Sequence, residues 1–169
     1  MYPNYYNGLY SYYRNGKWNE KNDNQSVERE EVITFSQAVE LIKQSIGDEK
    51  EDELFYDIII NQAPDTKSKN IIKDIRDDEK KHNQILRKLY YEFTGQMIPD
   101  DIVTTYSNPQ GDYSSNLEKA FFGELDAVKK YRKIMGVMPS GSSYTLLMSI
   151  MTDELRHANK YNFLINTLK

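Results

Sequence analysis

From Thr34 onward, apolar residues return every three or four positions, the spacing that lines one face of an α-helix. The first seam runs Phe35, Val39, Ile42, Ile46, Glu49, Glu53, Tyr56, Ile60 and breaks at Ala63-Pro64, with Thr34-x-x-Gln37 spelling a capping box at its start. A second helix, from about residue 66, steps through Ile72, Ile75, Glu79, His82, Leu86, Leu89 and Phe93 and ends at Gly95, suited to the left-handed turn that closes a helix. The stretch from Gln96 to Tyr113, with two prolines and one glycine, is too long for a tight hairpin loop. Ser115-x-x-Glu118 then suggests a capping box for a third helix with seam Leu117, Phe121, Glu124, Val128, Tyr131, Met135. After "GVMPSGSS" a fourth carries Leu147, Ile150, Glu154, His157, Tyr161, Leu164 and Leu168. The pattern predicts an all-α bundle of four helices: two helical hairpins joined by a long crossover connection.

The seams contain the wrong residues. Glu49, Glu79, His82, Glu124, Glu154 and His157 occupy positions where the spacing calls for apolar side chains. One constant offset along the chain superposes Glu49 on Glu124, Tyr56 on Tyr131, Pro64 on Pro139, Asp78 on Asp153, Glu79 on Glu154 and His82 on His157, without a gap. Glu49 and Glu79 are equally far from Pro64 along the chain, and Glu124 and Glu154 stand at that same separation from Pro139. Because both arms of an antiparallel hairpin rise about 1.5 Å per residue, each pair meets at one height. Docking the hairpins brings four carboxylates and two imidazoles to a single level of the core.

Four like charges in a low-dielectric interior would mostly be forced to protonate. Two divalent cations resolve the conflict, since four glutamates balance their charge and the imidazoles complete the coordination. The i, i+3 spacing of Glu-x-x-His offers an oxygen and a nitrogen from one helical turn. The chain has only two histidines, and both follow a glutamate at that spacing. Glu49, Glu79, His82, Glu124, Glu154 and His157 are therefore the expected metal ligands.

Composition narrows the class. A net charge of −4 argues against a nucleic-acid partner, and the absence of cysteine removes disulfides, thiolate metal sites and thiol catalysis. No run approaches the roughly 18 apolar residues of a membrane span, and the start lacks the basic flank and apolar stretch of a signal peptide. A soluble, cytoplasmic protein with no membrane partner is expected. Residues 1–33, with tyrosines at 2, 5, 6, 10, 12 and 13 amid Asn, Gly and Lys, lack helical or strand period and read as a mobile tail, leaving 34–169 as the bundle.

The arrangement Glu, Glu-x-x-His, Glu, Glu-x-x-His on four successive helices resembles the ferritin-like dimetal-carboxylate superfamily. "IGDEKEDELFYDIIINQAPD" and "IRDDEKKHNQILRKLYYEFTG" are similar to stand-alone members of its rubrerythrin-like branch. The resemblance implies bridging roles for Glu79 and Glu154, terminal roles for Glu49 and Glu124, and one metal each for His82 and His157. It implies that Asp78 and Asp153 accept the outer N–H of a histidine, and that Tyr56 and Tyr131 hydrogen-bond ligand carboxylates. It further implies a non-haem centre, di-iron in first place with manganese as the alternative, reacting with peroxide or dioxygen. The expected function is peroxide reduction or ferrous iron oxidation, in oxidative-stress or iron chemistry, by a homodimer served by an external electron donor protein.

Three departures stand beside the resemblance. Ala127 stands where rubrerythrins carry a further glutamate, no Cys-x-x-Cys rubredoxin module accompanies the bundle, and no short fifth helix of the kind seen in cage-forming ferritins is expected after the fourth. Two other readings stay open: a manganese catalase-like enzyme, and a non-enzymatic structural or surface protein stabilised by metal. Glu53, one turn beyond Glu49, is left as a ligand, a supporting group or a half-exposed residue.

Overall fold

The computed structural model describes residues 32–99 and 111–168; most of the expected tail, 1–31, and residues 100–110 of the connection lie outside the described residues. Four helices follow: α1 Phe35–Gln62, α2 Thr66–Thr94, α3 Tyr113–Met135 and α4 Ser142–Thr167. No strand occurs among the described residues, and none of their helices is long and apolar enough to cross a membrane.

The helix ends have local causes. Thr34 forms the expected capping box, its hydroxyl accepting from the Gln37 N–H while Gln37 Oε1 accepts from the Thr34 N–H. Asp65 caps α2, which closes on Gly95 at φ 69°. The third start differs from expectation: Asp112 is the cap, its carboxylate accepting from the Ser115 N–H at 2.9 Å and from Ser115 Oγ at 2.8 Å. Asp caps at least as well as Ser, so the helix starts ahead of the Ser-x-x-Glu signal.

Each helix packs chiefly on its hairpin partner, α1 on α2 and α3 on α4. The hairpins run in opposite senses. Gln62, at the end of α1, donates to the Gly111 carbonyl at 2.9 Å and accepts from Asn116 Nδ2 at the start of α3. Ile33, ahead of α1, clusters instead with Leu89, Met138 and Leu147. The end of α2 and the start of α3 therefore lie at opposite ends of the bundle, which is why a tight loop cannot join them.

The apolar core falls into two parts. Ile42, Ile46, Leu86, Leu89, Ile134, Leu147 and Ile150 fill one end, and Ile59, Ile72, Ile75, Leu117, Tyr161 and Leu164 the other. Burying each large apolar side chain stabilises by about 1.5–3 kcal/mol, so the two ends hold the helices in register. Between them lies a layer of polar side chains. The seam weakens at the helix ends, where Phe35 is 44 % and Leu168 43 % exposed and Phe35 meets Phe93 edge-on at 5.3 Å.

Candidate metal centre

The polar layer gathers Glu49 from α1, Glu79 and His82 from α2, Glu124 from α3, and Glu154 and His157 from α4, none more than 4 % exposed. Their donor atoms form two overlapping groups, Glu49, Glu79, His82, Glu154 and Glu79, Glu124, Glu154, His157, each within 4.8 Å throughout. Glu79 turns Oε2 toward His82 Nδ1 at 2.9 Å and Oε1 toward His157 Nδ1 at 3.0 Å. Glu154 does the same, Oε1 lying 3.2 Å from His82 Nδ1 and Oε2 3.3 Å from His157 Nδ1. Glu49 approaches only His82, at 3.8 Å, and Glu124 only His157, at 3.6 Å.

The supporting bonds cross between hairpins. Tyr56 Oη donates to Glu124 Oε1 at 2.6 Å, and Tyr131 Oη donates to Glu49 Oε1. His82 Nε2 lies 3.3 Å from Asp153 Oδ2, and His157 Nε2 lies 3.3 Å from Asp78 Oδ2. An imidazole that donates Nε2–H to an aspartate presents a lone pair at Nδ1, and a lone pair cannot hydrogen-bond to a carboxylate oxygen. Only a cation between Nδ1 and the glutamates, a proton or a metal ion, makes these close approaches favourable. Glu79 Oε1, Glu154 Oε1 and His157 Nδ1 are buried without a hydrogen-bond partner, so the donor set fits metal ions.

Electrostatics says the same with protein groups alone. Burial, then the charge of Glu154, raises the Glu49 carboxyl well above its usual range; burial and the charges of Glu79 and Glu154 raise Glu124, each against a bond from its histidine. Burial would lower the imidazoles, but bonds to the surrounding glutamates outweigh it, pushing His157 up to about 12 and raising His82 in the same way. Burial would raise Glu154 too, yet bonds to both histidines hold it well below the carboxylate range. The cluster thus retains positive charge, as protons where ions do not supply it.

Around the rim, Asp78 accepts from Lys81 at 2.8 Å and from Arg156 at 2.7 Å. Burial opposes its ionisation, but Lys81 and His157 hold it down to about 2. Arg156 also reaches Asp153 at 3.0 Å, linking the two aspartates that meet the histidines. The sequence reading missed this arginine, for nothing in a surface Arg distinguishes it. It also missed Asp52, half-buried one turn from Glu49: burial, then the charge of Glu79, push it up to about 8 against the pull of Lys130. Glu53 sits outside the two donor groups, on the flank of α1, paired with Lys50 at 2.8 Å and Lys80 at 3.7 Å.

Comparison with known proteins gives the family. The family model described as a ferritin-like domain matches residues 11–167, a stretch that begins inside the segment assigned to the tail. No curated protein matches the chain.

Proposed function

The chain belongs to the ferritin-like domain family, and on that premise we propose that its core holds two metal ions, iron in first place, at a rubrerythrin-like centre that reduces peroxide or oxidises ferrous iron with dioxygen. One observation carries this reading: Glu79 and Glu154 each turn one oxygen to each imidazole, while Glu49 and Glu124 serve one imidazole apiece. Two shared carboxylates and two private ones suit a pair of ions that Glu79 and Glu154 would hold in common, with Glu49 and His82 serving one and Glu124 and His157 the other.

The ions, when bound, would supply the electrons and the Lewis acidity that peroxide or dioxygen reduction requires. The chain's residues supply the rest. Asp153 and Asp78 hold the Nε2–H of His82 and His157, fixing the tautomer that presents Nδ1. Tyr56 and Tyr131 hold the outer oxygens of Glu124 and Glu49, so these carboxylates keep their aim. Burial at both ends by apolar clusters keeps bulk water off the site. Repeated peroxide reduction would draw its electrons from a donor protein.

Oxygen and nitrogen donors do not separate iron from manganese, so a manganese catalase-like activity is the nearest alternative. The test is metal analysis of protein purified without added metal, then anaerobic loading with iron or manganese and a peroxide challenge. About two ions per chain and peroxide loss with iron support the proposal. Peroxide turnover with manganese alone selects the alternative, and full occupancy without turnover by either metal leaves a metal-stabilised scaffold.

A further inference from the structure

The internal repeat leaves one acid beside the metal centre without a counterpart. Asp48, Asp52 and Tyr56 follow one another at steps of four along α1 and so share one face of it, with Asp52 in the middle. Asp48 accepts from Lys130 of α3 at 2.8 Å, and Tyr56 donates to Glu124 of α3 at 2.6 Å. Asp52, one turn from each, therefore faces α3 as well. At the equivalent place on α3 stands Ala127, between Glu124 and Lys130, which offers no polar side-chain atom. The cation of that seam, Lys130, is taken by Asp48, and Asp52 makes no hydrogen bond or ion pair with any described residue, although it is half-buried. Burying a carboxylate without a partner is unfavourable, and a nearby positive charge offsets the cost.

The direction along α1 says which half of the centre this acid serves. Tyr131, which bonds Glu49, belongs to the apolar cluster at one end of the bundle, and Ala127 packs on that same cluster. Tyr56, which bonds Glu124, belongs to the cluster at the other end. Passing along α1 from Glu49 to Tyr56 thus leads toward the Glu124–His157 half, and Asp52 lies on the way. Its charge is felt there: burial first, then Glu124 and Asp52, raise the Tyr56 phenol, and Tyr161 of the same cluster is raised by burial, Glu124 and, further down, Asp52. On the two-ion reading above, we infer that Asp52 makes the two ion places unequal, favouring the ion that Glu124 and His157 would hold. The two donor groups are otherwise matched, two shared glutamates with one private glutamate and one histidine apiece, so the difference comes from outside them. A carboxylate about 6 Å from a divalent cation raises its affinity about tenfold even with the screening of bulk water, and by more in a protein interior. Ala127 gives the Glu49–His82 place nothing of the kind.

The test is a titration of the full-length chain, freed of metal by chelation, with Mn²⁺, the unbound ion being counted by its electron paramagnetic resonance signal. Two ions should bind in steps about tenfold or more apart, and Asp52→Asn, which keeps the shape of the side chain, should weaken the tighter step about tenfold and leave the other within about twofold. His82→Ala and His157→Ala isolate the places. The ion kept by His82→Ala should bind more tightly than the one kept by His157→Ala, and only the former should respond to Asp52→Asn. Ala127→Asp, with Asp52 in place, should tighten the weaker step and bring the two together; this arm stands even where Asp52→Asn disturbs the fold. Two ions of equal affinity overturn the inference and leave the two-ion reading intact. So does Asp52→Asn weakening both places alike or neither, or Ala127→Asp leaving the steps as far apart as before. Fewer than two ions bound by the unaltered chain overturns the two-ion reading itself, and this inference with it.

Discussion

The two hairpins agree inside and disagree outside. Every group of the polar layer on one hairpin has its counterpart at the same offset on the other, and the supporting bonds come in matched pairs: Tyr56 to Glu124 with Tyr131 to Glu49, His82 to Asp153 with His157 to Asp78. Beyond that layer the match fades. Lys81 reaches one aspartate where its counterpart Arg156 reaches two, and Asp52 has Ala127 as its counterpart. A shared interior therefore marks what the site needs, and differences mark where the halves are free to serve separate ends.

The strongest way to break the comparison is to remove a ligand from one half. His82→Ala and His157→Ala should each lower metal content from about two ions per chain to about one, by elemental analysis. Unchanged content in both variants would falsify the ligand assignment, and unequal losses would show that the halves bind with different strength.

Next in size is a matched pair of core truncations. Ile72 and Leu147 occupy equivalent positions and are both fully buried. Replacing either by Ala should cost about 2–5 kcal/mol in denaturant unfolding. A difference between them beyond that spread would show that the two apolar ends do not share the load.

The pH dependence sharpens the comparison between the protein groups and the ions they suit. The raised imidazoles contribute stability in metal-free protein that is full below about 6.5 and is lost as pH climbs toward about 12, the value of His157. Glu49 and Glu124, raised above 4.5, act in the same sense from 4.5 upward. Glu154 and Asp78 are lowered and act oppositely; Asp78 loses its contribution only as pH falls from 3.8 to about 2. Chelated protein should therefore melt highest in mild acid and progressively lower toward pH 9. Metal ligands must shed protons, so the gain in melting temperature on adding metal should grow with pH. Parallel melting curves with and without metal across that range would place the carboxylates outside the ion's reach.

Smaller effects follow from the supporting groups. Tyr56→Phe and Tyr131→Phe each leave a buried glutamate oxygen without its donor, at about 1–3 kcal/mol apiece in metal-free protein. Smallest of all, Arg156→Ala should cost less than about 1 kcal/mol, its side chain being half exposed. It should still exceed Lys81→Ala, since Arg156 holds two aspartates and Lys81 one. Equal effects would mean that the bridge to Asp153 contributes nothing.

Much of this was legible in the sequence because helical geometry is nearly rigid. Equal distances from Pro64 and Pro139 fixed the height of the glutamates, and a polar residue in an apolar seam announces itself. Which of two neighbouring acids faces inward is harder: Asp52 and Glu53 follow Glu49 at i+3 and i+4, and both spacings fall on one helical face. Packing put Asp52 toward the cluster and left Glu53 with lysines. The start of α3 was misread because Ser115 and Asp112 both carry capping chemistry, and only the backbone shows which is used. Arg156 escaped notice because its two partners come from different hairpins.

The crossing bonds have a kinetic consequence. Within each hairpin the contacts close short loops and form quickly, whereas the four polar links join residues 68 to 82 apart along the chain. The hairpins should therefore fold first and dock last, with the polar links made late. Groups absent from a transition state govern how fast a protein comes apart and leave the rate of folding nearly untouched. A metal ion that closes this joint lengthens the life of the folded state by slowing its unfolding, and leaves the time needed to reach it unchanged.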